Sequence, residues 1–266
     1  MKKIFILFCL LFGILTLSAQ PFISEWEGHN GTANSVVFTK DGLRLITSGN
    51  DGSIRIFNLS DNSLFKIIQS KNDEVRSMVL SEDGTKFAVT GDKNNVEVYS
   101  YPDGVLIESF IDTCASICFT SDGSKIISCS DFLRIWDVAS ASQIKSLPVP
   151  KSNRVIITKE IGKVLLAGDD SKIYLFDYNT GQIIRTYNEH IMAVLGLALS
   201  PDGSKFASSS ADRTIRIWDI NSTTSLKIGI AHLGYVYSIA YSNDGTKLIT
   251  ACEDTRTRLY GTNPVD

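Results

Sequence analysis

The sequence predicts an all-β protein made of six copies of one small antiparallel sheet, stacked so that each copy covers its neighbours. Three observations carry this. Asp-Gly recurs at Asp41-Gly42, Asp83-Gly84, Asp122-Gly123, Asp202-Gly203 and Asp244-Gly245, with Ile161-Gly162 filling the one gap, and the steps are 42, 39, 39, 41 and 42 residues. The strand that closes each copy ends on an aromatic: Phe57, Tyr99, Trp136, Phe176, Trp218 and Tyr260. Short alternating runs bounded by turn residues fill the intervals, as in Lys205–Ser209 and Ile215–Asp219. A sheet of that size does not bury its apolar faces alone, so the copies must pack on one another.

The clearest copy is Ser200–Ile220. Pro201 presets φ for the first turn, Asp202 bonds back to its own backbone, and Gly203 accepts a positive φ. A second turn, Ala211-Asp212-Arg213-Thr214, leads into Ile215–Asp219, where Ile215 and Ile217 share one face and Arg216 and Trp218 the other. The period near 40, the Trp-Asp pairs at Trp136-Asp137 and Trp218-Asp219, and the Gly28-His29 opening together resemble the WD40 repeat family over essentially everything after residue 21. The resemblance implies a β-propeller, whose blades each carry strands a to d from the central channel outward. It also implies a scaffold that binds proteins or peptides on the face built by the d–a and b–c loops.

Taken in order, the chain opens with Lys2 and Lys3, the apolar run Ile4–Leu17 and the small, polar Ser18-Ala19-Gln20. This is the layout of a signal peptide over residues 1–20, with cleavage near Ala19 or Gln20. The expected product is a secreted or periplasmic propeller, residues 21–266, with no membrane span after cleavage. Phe22–Glu27 then reads as a d strand without a blade of its own, while Leu64–Gln69, Leu106–Ile111, Ile144–Val149, Ile183–Asn188 and Leu226–Ala231 are the d strands of the first five blades. The last inner strands end at Tyr260, with only Gly261–Asp266 beyond. The expectation is therefore a six-bladed ring in which Phe22–Glu27 completes the last blade and leaves no long unpaired edge. A seventh blade, commoner in the family, needs about 40 more residues.

The formal charge is −3 with no basic stripe, which argues against a nucleic-acid partner. The family resemblance implies a buried hydrogen-bonded chain in each blade: a His before strand a, a Ser or Thr on strand b, a turn Asp and a Trp. Blade one offers His29, Ser35 and Asp51, with Phe57 in place of Trp. Blade five offers His190, Asp212 and Trp218, with Gly196 where the hydroxyl is expected, and blade six offers His232, Ser238 and Asp254 with Tyr260. Blade two keeps Ser77, blade three keeps Ser116 and Trp136, and no blade is expected to hold the full set. The three histidines of the chain are all used in this way. None is left for a His-based metal site or a Ser/His/Asp triad, so neither metal nor cofactor is expected. Cys114, Cys118, Cys129 and Cys252 are expected as small buried apolar residues rather than as disulfides.

The residues flanking the first apolar position of each strand a are expected at the channel mouth. Tyr235, Tyr237 and Leu195 would form an apolar patch there, with Arg154 beside it and Glu74 and Arg76 across the opening; Tyr and Arg are the types that most often carry interface energy. The reading is a non-catalytic protein- or peptide-binding scaffold. Two alternatives stand beside it: a hydrolase or lyase with its site at the channel mouth, and a carbohydrate- or cell-wall-binding module.

Overall fold

The computed structural model describes residues 28–230 and 232–262, and every regular element among them is a strand. Blade one holds β1 (Ala33–Phe38), β2 (Arg44–Gly49), β3 (Ser53–Asn58) and β4 (Leu64–Gln69). Blade two holds β5 (Val75–Leu80), β6 (Lys86–Gly91), β7 (Asn95–Ser100) and β8 (Leu106–Ile111), and blade three holds β9 (Ser116–Phe119), β10 (Lys125–Cys129), β11 (Phe132–Asp137) and β12 (Gln143–Pro148). Blade four holds β13 (Ser152–Ile157), β14 (Lys163–Gly168), β15 (Ile173–Asp177) and β16 (Gln182–Tyr187). Blade five holds β17 (Val194–Leu199), β18 (Lys205–Ser210), β19 (Ile215–Asp219) and β20 (Ser225–Gly229), and blade six holds β21 (Val236–Tyr241), β22 (Lys247–Cys252) and β23 (Thr257–Gly261). Each blade is an antiparallel meander paired in chain order, and the blades form the six-bladed propeller that the repeat predicts. Phe22–Glu27, the expected closing strand, lies outside the described residues.

The turns are built as their residues dictate. The residue two before each turn Asp is a Ser or Thr whose hydroxyl donates to that carboxylate: Thr39 to Asp41 at 2.5 Å, Ser81 to Asp83 at 2.6 Å, Thr120 to Asp122 at 2.6 Å and Ser200 to Asp202 at 2.6 Å. The following glycine takes the left-handed conformation, as at Gly203 (φ 76°), which an L side chain adopts only with strain.

Two bulges recur and re-aim side chains. One lies just before the closing aromatic, between Ile56 and Phe57 in blade one and between Ile217 and Trp218 in blade five. The other lies near the start of the first strand, where Asn34, Arg76, Asn153, Leu195 and Tyr237 are the extra residues. Asn34 and Asn153 do the same work there: each side-chain amide donates to the backbone carbonyl of a later blade's first strand, Val75 at 3.0 Å and Val194 at 3.1 Å.

Sheet-on-sheet packing fills five wedges between consecutive blades. Ile46, Ile54 and Ile56 of blade one meet Met78, Phe87 and Tyr99 of blade two. Comparable clusters join blades two and three, three and four, four and five, and five and six. No such apolar cluster joins blade six to blade one among the described residues.

Candidate functional site

The histidines are occupied as the resemblance implies, through a different hydroxyl. In blade five Trp218 Nε1 donates to Ser208 Oγ at 2.8 Å, Ser208 Oγ donates to His190 Nε2 at 2.8 Å, and His190 Nδ1 donates to Asp212 at 2.7 Å. Since a carboxylate only accepts, this order fixes the His190 tautomer. Trp218, Ser208 and His190 are all buried. Burial by itself would raise the Asp212 pKa, but hydrogen bonds from His190 and Thr214 outweigh it and hold the carboxyl well below the usual range. Blade five therefore carries a complete chain, contrary to the expectation that no blade does.

The partner hydroxyl sits on the second strand. In blade one it is Thr47, 2.9 Å from His29 Nε2, with Asp51 2.9 Å from Nδ1. In blade six it is Thr250, 3.2 Å from His232 Nε2. The expected hydroxyls Ser35 and Ser238, on first strands, instead line the central channel, and Gly196 lines it too rather than leaving a gap in the chain. The close fit around His29 also explains a glycine: a Cβ on Gly49 would stand 2.8 Å from the imidazole ring.

Blade six solves the same problem in reverse. Arg258 donates to His232 Nδ1 at 2.9 Å and pairs with Asp254 at 2.7 Å, so Nε2 carries the proton and faces Thr250 and Tyr260 Oη. Burial, then the charge of Arg258, lowers the His232 pKa. His232, Cys252 and Asp254 place their ligand atoms within 4.8 Å of one another. The Arg258 guanidinium already bonds two of these groups, so the cluster has its cation from the chain itself.

Blades two and three use buried carboxylates that sequence reasoning missed. Glu97 accepts from Ser70 Oγ at 2.8 Å, the Lys71 backbone N–H at 2.7 Å and Tyr99 Oη at 2.6 Å. Asp112, in the β8–β9 connection where other blades have His, accepts from Trp136 Nε1 at 3.1 Å, Arg134 at 2.6 Å and Ser128 Oγ. In blade four Tyr174 Oη donates to Asp170 at 2.5 Å. The four cysteines among the described residues are free, and burial pushes the Cys118 thiol up to about 12.

The remaining polar constellation lies in the channel. The β13–β14 register puts Arg154 opposite Ala167, the place that Ser35 takes opposite Ser48, Ser77 opposite Thr90 and Ser238 opposite Ala251. Arg154 thus belongs to the innermost row, one residue on from the rim position expected for it. It lines a cavity of about 600 Å³ with Ser35, Ser77, Ser238, Arg76 and Tyr237. Among the described residues no carboxylate lies within ion-pair distance of Arg154. Arg76 keeps Glu74 at 3.2 Å on the exposed rim. Tyr237 is 53% exposed and meets Tyr235, 38% exposed, edge to face at 6.4 Å. Leu195, half-buried, is not among the residues lining this cavity.

The family described as WD domain, G-beta repeat matches residues 20–58, 181–219 and 223–261. The second and third matches run from a fourth strand through the third strand of the next blade, the first ends with the third strand of blade one, and six blades form the ring. The chain belongs to the WD40 repeat family. Among its relatives, the serine-threonine kinase receptor-associated protein of Gallus gallus is 26% identical over 190 residues, 70% of this chain and 54% of that protein. The protein of the same name from Dictyostelium discoideum is 28% identical over 219 residues, 75% of this WD40 chain and 73% of its own length. Pre-mRNA-processing factor 17 of Saccharomyces cerevisiae is 31% identical over 106 residues, 36% of this chain and 23% of that protein. The chain thus spans about half the length of the chicken relative.

These findings correct one expectation. The relatives are intracellular proteins, a pre-mRNA-processing factor among them, and this overturns the secreted or periplasmic location read from the start of the chain. The residues that suggested it, 1–20, lie outside the described ones. Among the described residues no helix is long and apolar enough to cross a membrane.

Proposed function

We propose that this WD40 propeller is a non-catalytic scaffold that binds a protein or peptide at the channel mouth, and that the bound segment presents an acidic side chain to Arg154 and an apolar one to Tyr235 and Tyr237. The observation that carries this is Arg154: a guanidinium in a row otherwise held by Ser and Gly, without a carboxylate partner among the described residues. A cation in a partly desolvated channel interacts more strongly with an incoming anion than one in open water does. The paired tyrosines supply the rigid aromatic contact area that recurs at interfaces. Two of the relatives are named as receptor-associated, which agrees with a binding role. The non-catalytic part of the reading is supported by the commitment of all three histidines to blade networks.

The test is a peptide library displayed against the full chain. Selected peptides should be enriched in Asp or Glu next to an apolar residue. Arg154→Gln and Tyr237→Ala should each weaken them at least about tenfold, or about 1.4 kcal/mol. If binding survives both changes and falls instead with Arg185→Ala on the outer strand β16, the docking face is the side of the ring and the proposal fails.

A further inference from the structure

Six positions, one per blade, form the innermost row of the channel: Ser35, Ser77, Ser116, Arg154, Gly196 and Ser238. On the second strands Thr47, Ser208 and Thr250 are each engaged by a histidine. The innermost row is different. Within the described chain the hydroxyls of Ser35, Ser77, Ser116 and Ser238 make no hydrogen bond, and neither does the Arg154 guanidinium. Behind the row, Ser48 stands opposite Ser35 and Ser209 opposite Gly196. Their hydroxyls are unused as well. Five buried side-chain polar atoms lack a partner among the described residues, and three of them are Ser48 Oγ, Ser116 Oγ and Ser209 Oγ. The glycine shows where Ser209 points. A Cβ on Gly196 would stand 2.4 Å from Ser209 Oγ, so the hydroxyl fills the place of the missing side chain in the channel wall. Buried polar atoms are nearly always paired, so a concentration of unpaired ones in one layer calls for a ligand.

The ligand has a sign. Burial lowers the Arg154 pKa, because a cation withdrawn from water is penalised until an anion answers it. Cys118 and Cys129 lie close enough to feel that charge. Burial, however, pushes the Cys118 thiol up to about 12 and the Cys129 thiol well above its ordinary value, so both stay protonated. Among the described residues no Asp or Glu lines the cavity, and Arg76, the other guanidinium there, is neutralised by Glu74 at 3.2 Å. The lining thus carries one uncompensated positive charge. Water would satisfy the hydroxyls and leave that charge unanswered, whereas a singly charged anion satisfies both. Hydroxyls from several blades approach the channel axis from different sides. That arrangement suits a sphere accepting from any direction better than a carboxylate, whose lone pairs lie in one plane.

We infer that the channel holds a monovalent inorganic anion of the halide class, bound by the Arg154 guanidinium and the hydroxyls of Ser35, Ser77, Ser116 and Ser238, with Ser48 and Ser209 turning to support the row from behind. The site shares Arg154 with the docking surface proposed above, where a partner's carboxylate would displace the ion, but it needs no partner to fill.

Two measurements on the full chain test it, each with halide alone. Crystals soaked in sodium bromide should show an anomalous peak at the Arg154 guanidinium, inside the channel. In solution, the melting temperature in sodium chloride should exceed that in sodium gluconate of equal ionic strength by about 3–6 °C once chloride is about tenfold above half-saturation. Arg154→Gln should abolish this rise. Since that change removes an uncompensated cation, the variant should melt no lower than wild type in gluconate. Ser116→Ala with Ser209→Ala should move half-saturation to about tenfold higher chloride. Lys151→Gln, at an exposed lysine paired with Asp169, should keep the full rise. No rise, a rise that persists in R154Q, or bromide peaks at surface lysines only would each overturn the inference. If R154Q fails to fold, the wild-type bromide map decides alone. Acidic peptides that require Arg154 in a chain that binds no halide overturn this inference and leave the docking reading standing. Halide at Arg154 with no acidic peptide selected does the reverse.

Discussion

Replacing Ser208 by Ala tests the hydrogen-bonded chain of blade five at its centre. The hydroxyl accepts from Trp218 Nε1 and donates to His190 Nε2, each at 2.8 Å. Its removal leaves one buried donor and one buried acceptor without a partner, in a site with Ser208 and Trp218 both at 0% exposure. A buried polar group left unpaired costs about 1–3 kcal/mol, so the expected loss for the two is about 2–6 kcal/mol. For a chain of this size each kcal/mol moves the melting temperature by about 2–4 °C, which sets the fall at about 4–24 °C. Scanning calorimetry of the wild type and S208A reads it, with Ser35→Ala as control, since Ser35 lines the channel and should move the melt by under about 0.5 kcal/mol. A double-mutant cycle sharpens the test. In the Trp218→Phe background the orphaned indole no longer exists, so S208A should cost less there than in the wild type. A melt of S208A within about 1 °C of wild type, or equal costs in the two backgrounds, would refute the assigned chain.

Other outcomes follow from the same geometry. The folded pKa of His232 lies below its ordinary value of 6.5, so its contribution to stability is complete above that value and is lost as pH falls; the melting temperature should drop from pH 7 to pH 5, and His232→Gln should flatten that part of the curve. The turn carboxylates Asp83, Asp122 and Asp202 are held at about 2 by Ser and Thr hydroxyls, against an ordinary 3.8, so their contribution is present above pH 4 and disappears toward pH 2; Asp202→Asn should make acid unfolding, followed by circular dichroism, less steep in that window. Cys118 and Cys129, buried with thiols far above their ordinary pKa, should resist Ellman's reagent in the native protein and react once guanidinium unfolds it. Asp112→Ala strips Trp136, Arg134 and Ser128 of their shared acceptor, and should cost about 3–5 kcal/mol in urea titration by leaving the Arg134 charge unpaired.

The ring was legible because two landmarks with physical causes recur in step. A glycine at a positive φ closes each turn, and an aromatic ends each third strand. The site was less legible where recurrence alone had to separate one face from another. The first-strand serines Ser35, Ser77 and Ser238 recur as faithfully as the true network hydroxyls, yet they face the channel. A usable signal was present: Thr47, Ser208 and Thr250 each lie 18 residues after their histidine. Blade four shows the other failure. Its turn is eroded to Ile161-Gly162, and aligning it one residue out moved Arg154 from the channel row to the rim, because a slip of one flips every side chain of a strand. Glu97 and Asp112 were invisible because each enters its network from a place where the repeat has no carboxylate.

The blades' unequal networks have a consequence for how the chain assembles. Six similar meanders joined in one chain are prone to pair with the wrong neighbour, a characteristic failure of repeat proteins. Here each meander carries its own lock. A β7 strand that strayed into blade four would bury Glu97 away from Ser70, and a β11 strand that strayed into blade five would bring Arg134 and Trp136 to a histidine in place of Asp112. Unmatched buried charge is among the costliest errors a fold can contain. The divergence that makes the repeats hard to recognise in the sequence thus serves as an address system, giving each strand one destination in a ring that otherwise offers six.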